Sequence, residues 1–289
     1  MARIIGGIAT SHVPALGGAI AKGLQKDPYW APFFDGFGKA HAWLAEKKPD
    51  AIVMFYNDHG LNFFLDKMPT FAIGAAPEYH NADEGWGLPV VKPFKGDPKL
   101  SWAIIEGTVE DEFDITTCQE MLVDHALTVP MQLLWPDGTT IPIVPIAINT
   151  VQYPLPSAQR CFKLGQSVAK AIKAYDADLD VLMMATGGLS HQLDGERAGF
   201  INKDYDLKFL DQLIDCPEEI CKLDNRTLVE LTGTQGVELL MWLAMRAALG
   251  DRVERIHQNY HIPISNTAAC LLVTEPVNAQ ARRPVLELV

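Results

Sequence analysis

The feature that most constrains this chain is a repeated handover from short apolar runs to segments of helical period. Runs rich in β-branched residues at Arg3–Ala9, Ala51–Tyr56, Thr70–Ala75, Thr140–Ile148, Val181–Thr186 and Ile262–Val273 read as strands. Segments at Phe33–Lys47, Pro98–Glu112, Asp124–Leu134, Pro156–Tyr175, Lys203–Ile214, Pro217–Leu231 and Gly236–Leu249 read as helices. In the fourth of these, Leu164, Val168, Ala171 and Ile172 recur on one face, as an amphipathic helix requires. Strands alternating with helices predict a layered α/β domain with helices on both sides of a sheet. That domain is expected over residues 1–275, and 276–289 form a weakly patterned tail that is disordered or docks on a partner.

Composition excludes several classes of protein. Hydrophobic residues at 48% and charged residues at 21% describe a globular chain rather than a disordered one. A net charge of −12 argues against a broad nucleic-acid surface, which needs a basic stripe. It leaves room for a small anionic substrate, because a metal or a local arginine reverses the sign inside one pocket. The five cysteines are scattered and form no CxxC pair, so neither a thiolate zinc site nor a disulfide framework is expected. The opening "MARIIGGIATSH" turns polar too soon for a signal peptide. No apolar run approaches the roughly 18 residues of a membrane span, so the expectation is a cytoplasmic protein. The stretch Ala76–Gly96 is rich in glycine, proline and polar residues and reads as a long surface loop of the kind that carries function.

Three of the eight histidines sit just past predicted strands. His12 follows the first strand after Thr10-Ser11, and His59 ends "MFYNDHG" after the second. His191 follows "VLMMATGGLS", where Gly187-Gly188 breaks the strand. The carboxyl edge of an open α/β sheet is where ligands bind, and three histidines there point to a site. Two neutral histidines and one carboxylate on one face would leave open positions on Fe(II). Glu238, in "GTQGVELLMW", is a candidate third ligand. On spacing alone, though, the favoured reading is an acid complementing a helix N-terminus. His125 begins a helix and suits a capping or supporting role, whereas His41, His80, His257 and His261 have no assigned role. There is no GxxxxGK[ST] loop, no GxGxxG after a strand, no HExxH helix and no GxSxG elbow around Ser190.

The segments "GGIATSHVP", "FYNDHG", "DHALTVP", "GGLSHQLDGERAG", "TQGVELLMW" and "PISNTAA", in this order, resemble the class III extradiol ring-cleaving dioxygenases of the LigB type. That family includes the β subunit of protocatechuate 4,5-dioxygenase, and the resemblance extends to about residue 275. It implies an αβα domain with a central mixed sheet. It implies His12, His59 and Glu238 as Fe(II) ligands, which overrules the dipole reading of Glu238. It further implies His191 as the acid/base, His125 as a second active-site histidine, and Ser265 and Asn266 facing the ring carboxylate. The implied reaction is cleavage of protocatechuate at the 4,5 bond with O2, giving 4-carboxy-2-hydroxymuconate semialdehyde. The implied partner is a small helical α subunit covering the site, two of each chain. Other readings are a related ring (gallate, methylgallate or an aminophenol), a non-catalytic binding protein on the same fold, or a zinc hydrolase using the same triad.

Overall fold

A computed structural model describes residues 1–85, 88 and 90–277. The first half of the chain runs β1 (Arg3–Thr10), α1 (Pro14–Ala21), α2 (Ala31–Phe34), α3 (Phe37–Lys47), β2 (Ala51–Tyr56), β3 (Phe71–Gly74), β4 (Glu78–Asn81), β5 (Phe94–Lys95), α4 (Pro98–Glu110), β6 (Thr116–Cys118), β7 (Leu122–Val123) and α5 (His125–Leu134). The second half runs β8 (Ile143–Ile148), α6 (Ala158–Ala174), β9 (Asp180–Thr186), α7 (Lys203–Asp215), α8 (Pro217–Cys221) and α9 (Asn225–Thr232). A single 3-10 turn (Gly236–Glu238), α10 (Leu239–Ala248), β10 (Val253–Ile264) and β11 (Thr267–Pro276) complete it.

Eight strands form one sheet in the order β10-β11-β1-β9-β2-β8-β3-β6. The central four are parallel to one another, whereas β11 on β1 and β3 on β8 are antiparallel, so the sheet is mixed as the resemblance implies. Alternate residues of β2 divide between two cores. Ile52, Met54 and Tyr56 pack with α3 and α5, while Val53 and Phe55 pack with α4, α6 and α10. Both faces are covered, which is why the central strands read as unbroken apolar runs. Each fully buried aliphatic side chain contributes about 1.5–3 kcal/mol relative to exposure. The helical layer is close-packed where α6 meets α10: a Cβ at Gly165 would lie 1.9 Å from the Ala244 carbonyl oxygen.

Several boundaries differ from the sequence expectation. The predicted helix Phe33–Lys47 is two helices, because Asn259 of β10 donates to the Pro32 and Phe33 carbonyls beside the break. Pro217–Leu231 also divides, with Asp224 capping α9 by accepting from the Thr227 N–H. The predicted strand Ile262–Val273 is the closed end of a long hairpin, turning at Ser265-Asn266 with Ser265 at φ 56°. The predicted loop Ala76–Gly96 contains β4 and β5. Helix α1, "PALGGAIA", was missed because two glycines and a uniformly apolar sequence hide the amphipathic contrast. The expected tail lies outside the described residues from 278 onward, and Pro276 still belongs to β11. Among the described residues, no helix is long and apolar enough to cross a membrane.

Candidate metal centre

Strands β1, β9 and β2 are parallel neighbours, so their carboxyl ends emerge side by side. This places His12, His191 and His59 around one cavity although they are far apart in sequence. Glu238 joins them from the 3-10 turn that opens α10. Its Oε2 lies 3.4 Å from His12 Nε2 and 3.9 Å from His191 Nε2, and its Oε1 lies 3.8 Å from His59 Nε2. The carboxylate therefore faces three histidines rather than idling at a helix end. Gly187-Gly188 makes this approach possible. Gly187 has φ 139°, a Cβ there would meet the Glu238 Cβ at 2.9 Å, and the Gly188 N–H donates to Glu238 Oε2 at 2.7 Å.

Hydrogen bonds at the far nitrogens set which atom each ring offers. The His59 Nδ1–H donates to Asp124 Oδ2 at 2.9 Å, and the His59 backbone N–H reaches the same oxygen at 2.8 Å. The His191 Nδ1–H donates to the Leu189 carbonyl at 3.0 Å. In their neutral forms both rings present an Nε2 lone pair to the cavity. His12 Nδ1 lies 3.1 Å from Thr186 Oγ1. The His125 backbone N–H donates to Glu84 Oε1 at 2.7 Å, its ring Nδ1–H donates to Oε2, and the ring stacks on His59 with centroids 4.1 Å apart. Buried Asn57 donates from Nδ2 to Glu238 Oε1 at 3.3 Å.

Electrostatics follow from this packing. Burial alone would raise the Glu238 carboxyl, but His12, His59 and His191 outweigh it and hold the group well below the usual carboxylate range. Burial alone would lower His59, yet the Asp124 and Glu238 carboxylates push it up to about 10. Asp124 is held low by His59 against its own desolvation. Desolvation pulls His125 down, with Glu84 opposing and the neighbouring His59 and His12 assisting.

The residues present fit a divalent metal. Separations of 3.4 to 3.8 Å from Glu238 to His12 and His59 are longer than the usual N–H···O distance of about 2.7–3.2 Å. They approach the spacing of two ligands sharing an ion with bonds of about 2.0–2.2 Å. Ring nitrogens of His12, His59 and His125 also lie within 4.8 Å of one another, so His125 borders the same position. The high proton affinity of His59 marks a place that seeks positive charge, and a metal there would displace that proton. The surrounding cavity measures about 570 Å³ and is walled by Val13, Val151 and Leu193, with Thr150, Gln235, Ser265 and Thr267 supplying polar groups. That volume suits a small aromatic ligand.

The structure thus brings together His12, His59, His125, His191, Glu238 and Ser265. Asn266 does not line the cavity; it is the exposed second residue of the hairpin turn. Asn57, Asp124, Thr186 and Glu84 were missed in the sequence. Asp124 carried a signal, as an N-cap acid immediately before His125, whereas Glu84 carried none.

The profile described as "Catalytic LigB subunit of aromatic ring-opening dioxygenase" matches residues 6–270. The chain belongs to the LigB family. Among curated relatives, gallate dioxygenase from Pseudomonas putida is 38% identical over 211 residues, covering 70% of this chain and 62% of that protein. A 2,3-dihydroxyphenylpropionate/2,3-dihydroxicinnamic acid 1,2-dioxygenase from Rhodococcus jostii is 32% identical over 187 residues, covering 63% of this chain and 54% of the relative. This LigB chain therefore spans somewhat over half the length of the curated relatives it matches. An uncharacterized protein from Escherichia coli K12 shares the fold, with a TM-score of 0.57 at 14% identity, covering 94% of this chain and 99% of the other.

Proposed function

We propose that the chain is a non-haem Fe(II) extradiol dioxygenase that opens a catechol ring bearing a carboxylate. The observation that carries this reading is Glu238 facing His12 and His59 across 3.4 and 3.8 Å, with the Nε2 of His191 beside them. His12, His59 and Glu238 would hold the ion on one face and leave its other positions to substrate and O2. Bound Fe(II) would supply Lewis acidity toward the two ring hydroxyls and redox chemistry toward dioxygen.

The protein's own residues do the rest. His191 has its Nδ1–H committed to the Leu189 carbonyl, so Nε2 is the atom that takes a proton from a ring hydroxyl and later returns it to the opened product. Val13, Val151 and Leu193 offer the ring an apolar wall. Among the described lining residues there is no lysine or arginine. A ring carboxylate is then held by neutral donors, for which the cavity wall offers Ser265, Thr267 and Gln235.

The ring expected from the sequence is protocatechuate, cleaved at the 4,5 bond, and the likeness to gallate dioxygenase sets gallate beside it. Half-exposed Val151 and Leu193 at the cavity support a covering partner, the small α subunit, in an assembly of two of each chain. A cytoplasmic location suits this catabolic chemistry.

The test is anaerobic. The purified chain is loaded with Fe(II), nitric oxide is added as a probe of open coordination positions, and EPR spectra are recorded with and without protocatechuate or gallate. A high-spin signal that shifts with one of these catechols supports the reading. Failure to form any such signal, with or without a covering subunit, refutes the metal triad.

A further inference from the structure

We propose that Glu84 is a positioning residue for ring cleavage, holding His125 as the Nδ1–H tautomer so that Nε2 accepts a hydrogen bond from a substrate hydroxyl. The part concerning substrate rests on the dioxygenase reading; the part concerning the tautomer does not.

The placement of Glu84 follows from strand register. β4 and β7 run parallel, pairing His80 with Leu122 and Asn81 with Val123, and the Ala82 N–H continues the ladder to the Val123 carbonyl at 2.9 Å. Both chains leave this pairing in the same direction. Glu84, three residues beyond Asn81, therefore arrives beside His125, two residues beyond Val123. Its carboxylate accepts the His125 backbone N–H at 2.7 Å through Oε1 and the ring Nδ1–H through Oε2.

The grip repeats one already in the site. Asp124 takes both the backbone N–H and the ring Nδ1–H of His59, leaving Nε2 toward the candidate metal position. Glu84 takes the same two groups of His125, whose ring lies stacked on His59 at 4.1 Å. An ionised carboxylate only accepts hydrogen bonds, so Nδ1 carries the hydrogen and the neutral ring offers a lone pair at Nε2. In metal sites, a carboxylate behind a histidine fixes the ring's tautomer and angle. Glu84 performs that service for a histidine that faces substrate.

Glu84 also lacks a simpler purpose. Its side chain is 8% exposed, and among the described residues its ion-pair partner is His125. Burying a carboxylate is unfavourable unless its hydrogen bonds are well satisfied. A loop anchored for stability alone would do better with an apolar or amide side chain at this position.

The test has two arms. First, the full chain with 15N-labelled histidine is examined by NMR, metal-free and loaded with diamagnetic Zn2+, and His125 is assigned by difference against His125→Ala. The expected wild-type spectrum shows a protonated Nδ1 and an unprotonated Nε2 for His125, with that preference lost in Glu84→Gln. An Nε2–H tautomer in the wild type, or an unchanged ring in Glu84→Gln, overturns the proposal. Second, steady-state kinetics are measured on the Fe(II) enzyme. Glu84→Gln is expected to lower kcat/KM roughly 30-fold, within the range for a partner behind an active histidine, with Fe(II) affinity changed by no more than about twofold. In a His125→Ala background the same change should cost nothing further, whereas additive losses would show that Glu84 merely holds the loop and refute the role. If the wild type cleaves no catechol, the dioxygenase reading fails, and the tautomer result still decides what Glu84 does to His125.

Discussion

Asp206→Asn tests whether a buried carboxyl beside the Ser190-His191 turn makes the fold sensitive to pH. Asp206, on α7, is fully buried; its Oδ1 accepts from the Ser190 N–H at 2.9 Å, and its Oδ2 accepts from the Ser190 and Tyr260 hydroxyls at 2.6 and 2.9 Å. No lysine or arginine pairs with it among the described residues. Burial pushes its carboxyl up to about 6, with the Ser190 and Tyr260 hydrogen bonds pulling the other way. The folded state therefore holds the Asp206 proton over a range where the unfolded chain, near the ordinary value of 3.8, has released it. Folding binds the extra proton, so stability is highest below the unfolded value and falls as pH rises through about 6. A shift of roughly two units corresponds to about 3 kcal/mol in total, of which roughly half is lost between pH 5 and pH 8. Urea unfolding followed by tryptophan fluorescence, in EDTA and at steps from pH 5 to 8, measures this as the difference between wild type and Asp206→Asn. The variant should gain about 1.5 kcal/mol on the wild type across that range. A pH-independent difference would refute the reasoning, because the common titration of the histidines cancels between the two proteins.

The other expectations are simpler to state. His191→Ala should retain Fe(II) while kcat falls by about 10²–10⁴, the usual contribution of a general acid/base; loss of the metal would reassign His191 as a ligand. Glu238→Ala should weaken Fe(II) binding by more than about 100-fold, since residues merely behind the ligands already account for 10–100-fold; unchanged affinity in an anaerobic titration would remove Glu238 from the ligand set. Gly165→Ala drives a methyl to 1.9 Å from the Ala244 carbonyl oxygen, so α6 and α10 must separate. It should cost about 3 kcal/mol, or roughly 6–12 °C in Tm by calorimetry, and an unchanged Tm would show that the helices yield freely.

What was legible in the chain follows from the range over which each signal acts. β2 was read to the residue at Ala51–Tyr56, because a strand buried on both faces writes itself as a continuous apolar run bounded by polar residues. His12, His59 and His191 were legible for the same reason: each follows such a run by a few residues, and parallel pairing brings the ends of β1, β9 and β2 to one edge. The Gly187-Gly188 break was visible, but its purpose was not. Only the fold shows that Glu238 presses against it from the far end of a helical layer. The hairpin β10–β11 ran together as one strand because its turn, Ser265-Asn266, lacks the glycine that usually announces a left-handed residue.

Asp124 and Glu84 mark where that legibility stops. Both do the same work, taking the backbone and ring N–H groups of one histidine and leaving Nε2 to the cavity. Asp124 is adjacent in sequence to His125 yet serves His59, and Glu84 lies 41 positions from the histidine it serves. Neither pairing has a period or a motif, because each depends on which strands lie beside each other, a property set by the packing of the whole sheet. The ligating nitrogens of a metal site are chosen by such carboxylates as much as by the histidines themselves. A chain that kept all four histidines and Glu238 but lost these two acids would preserve the side chains that face the cavity, while leaving the orientation of His59 and His125 unset.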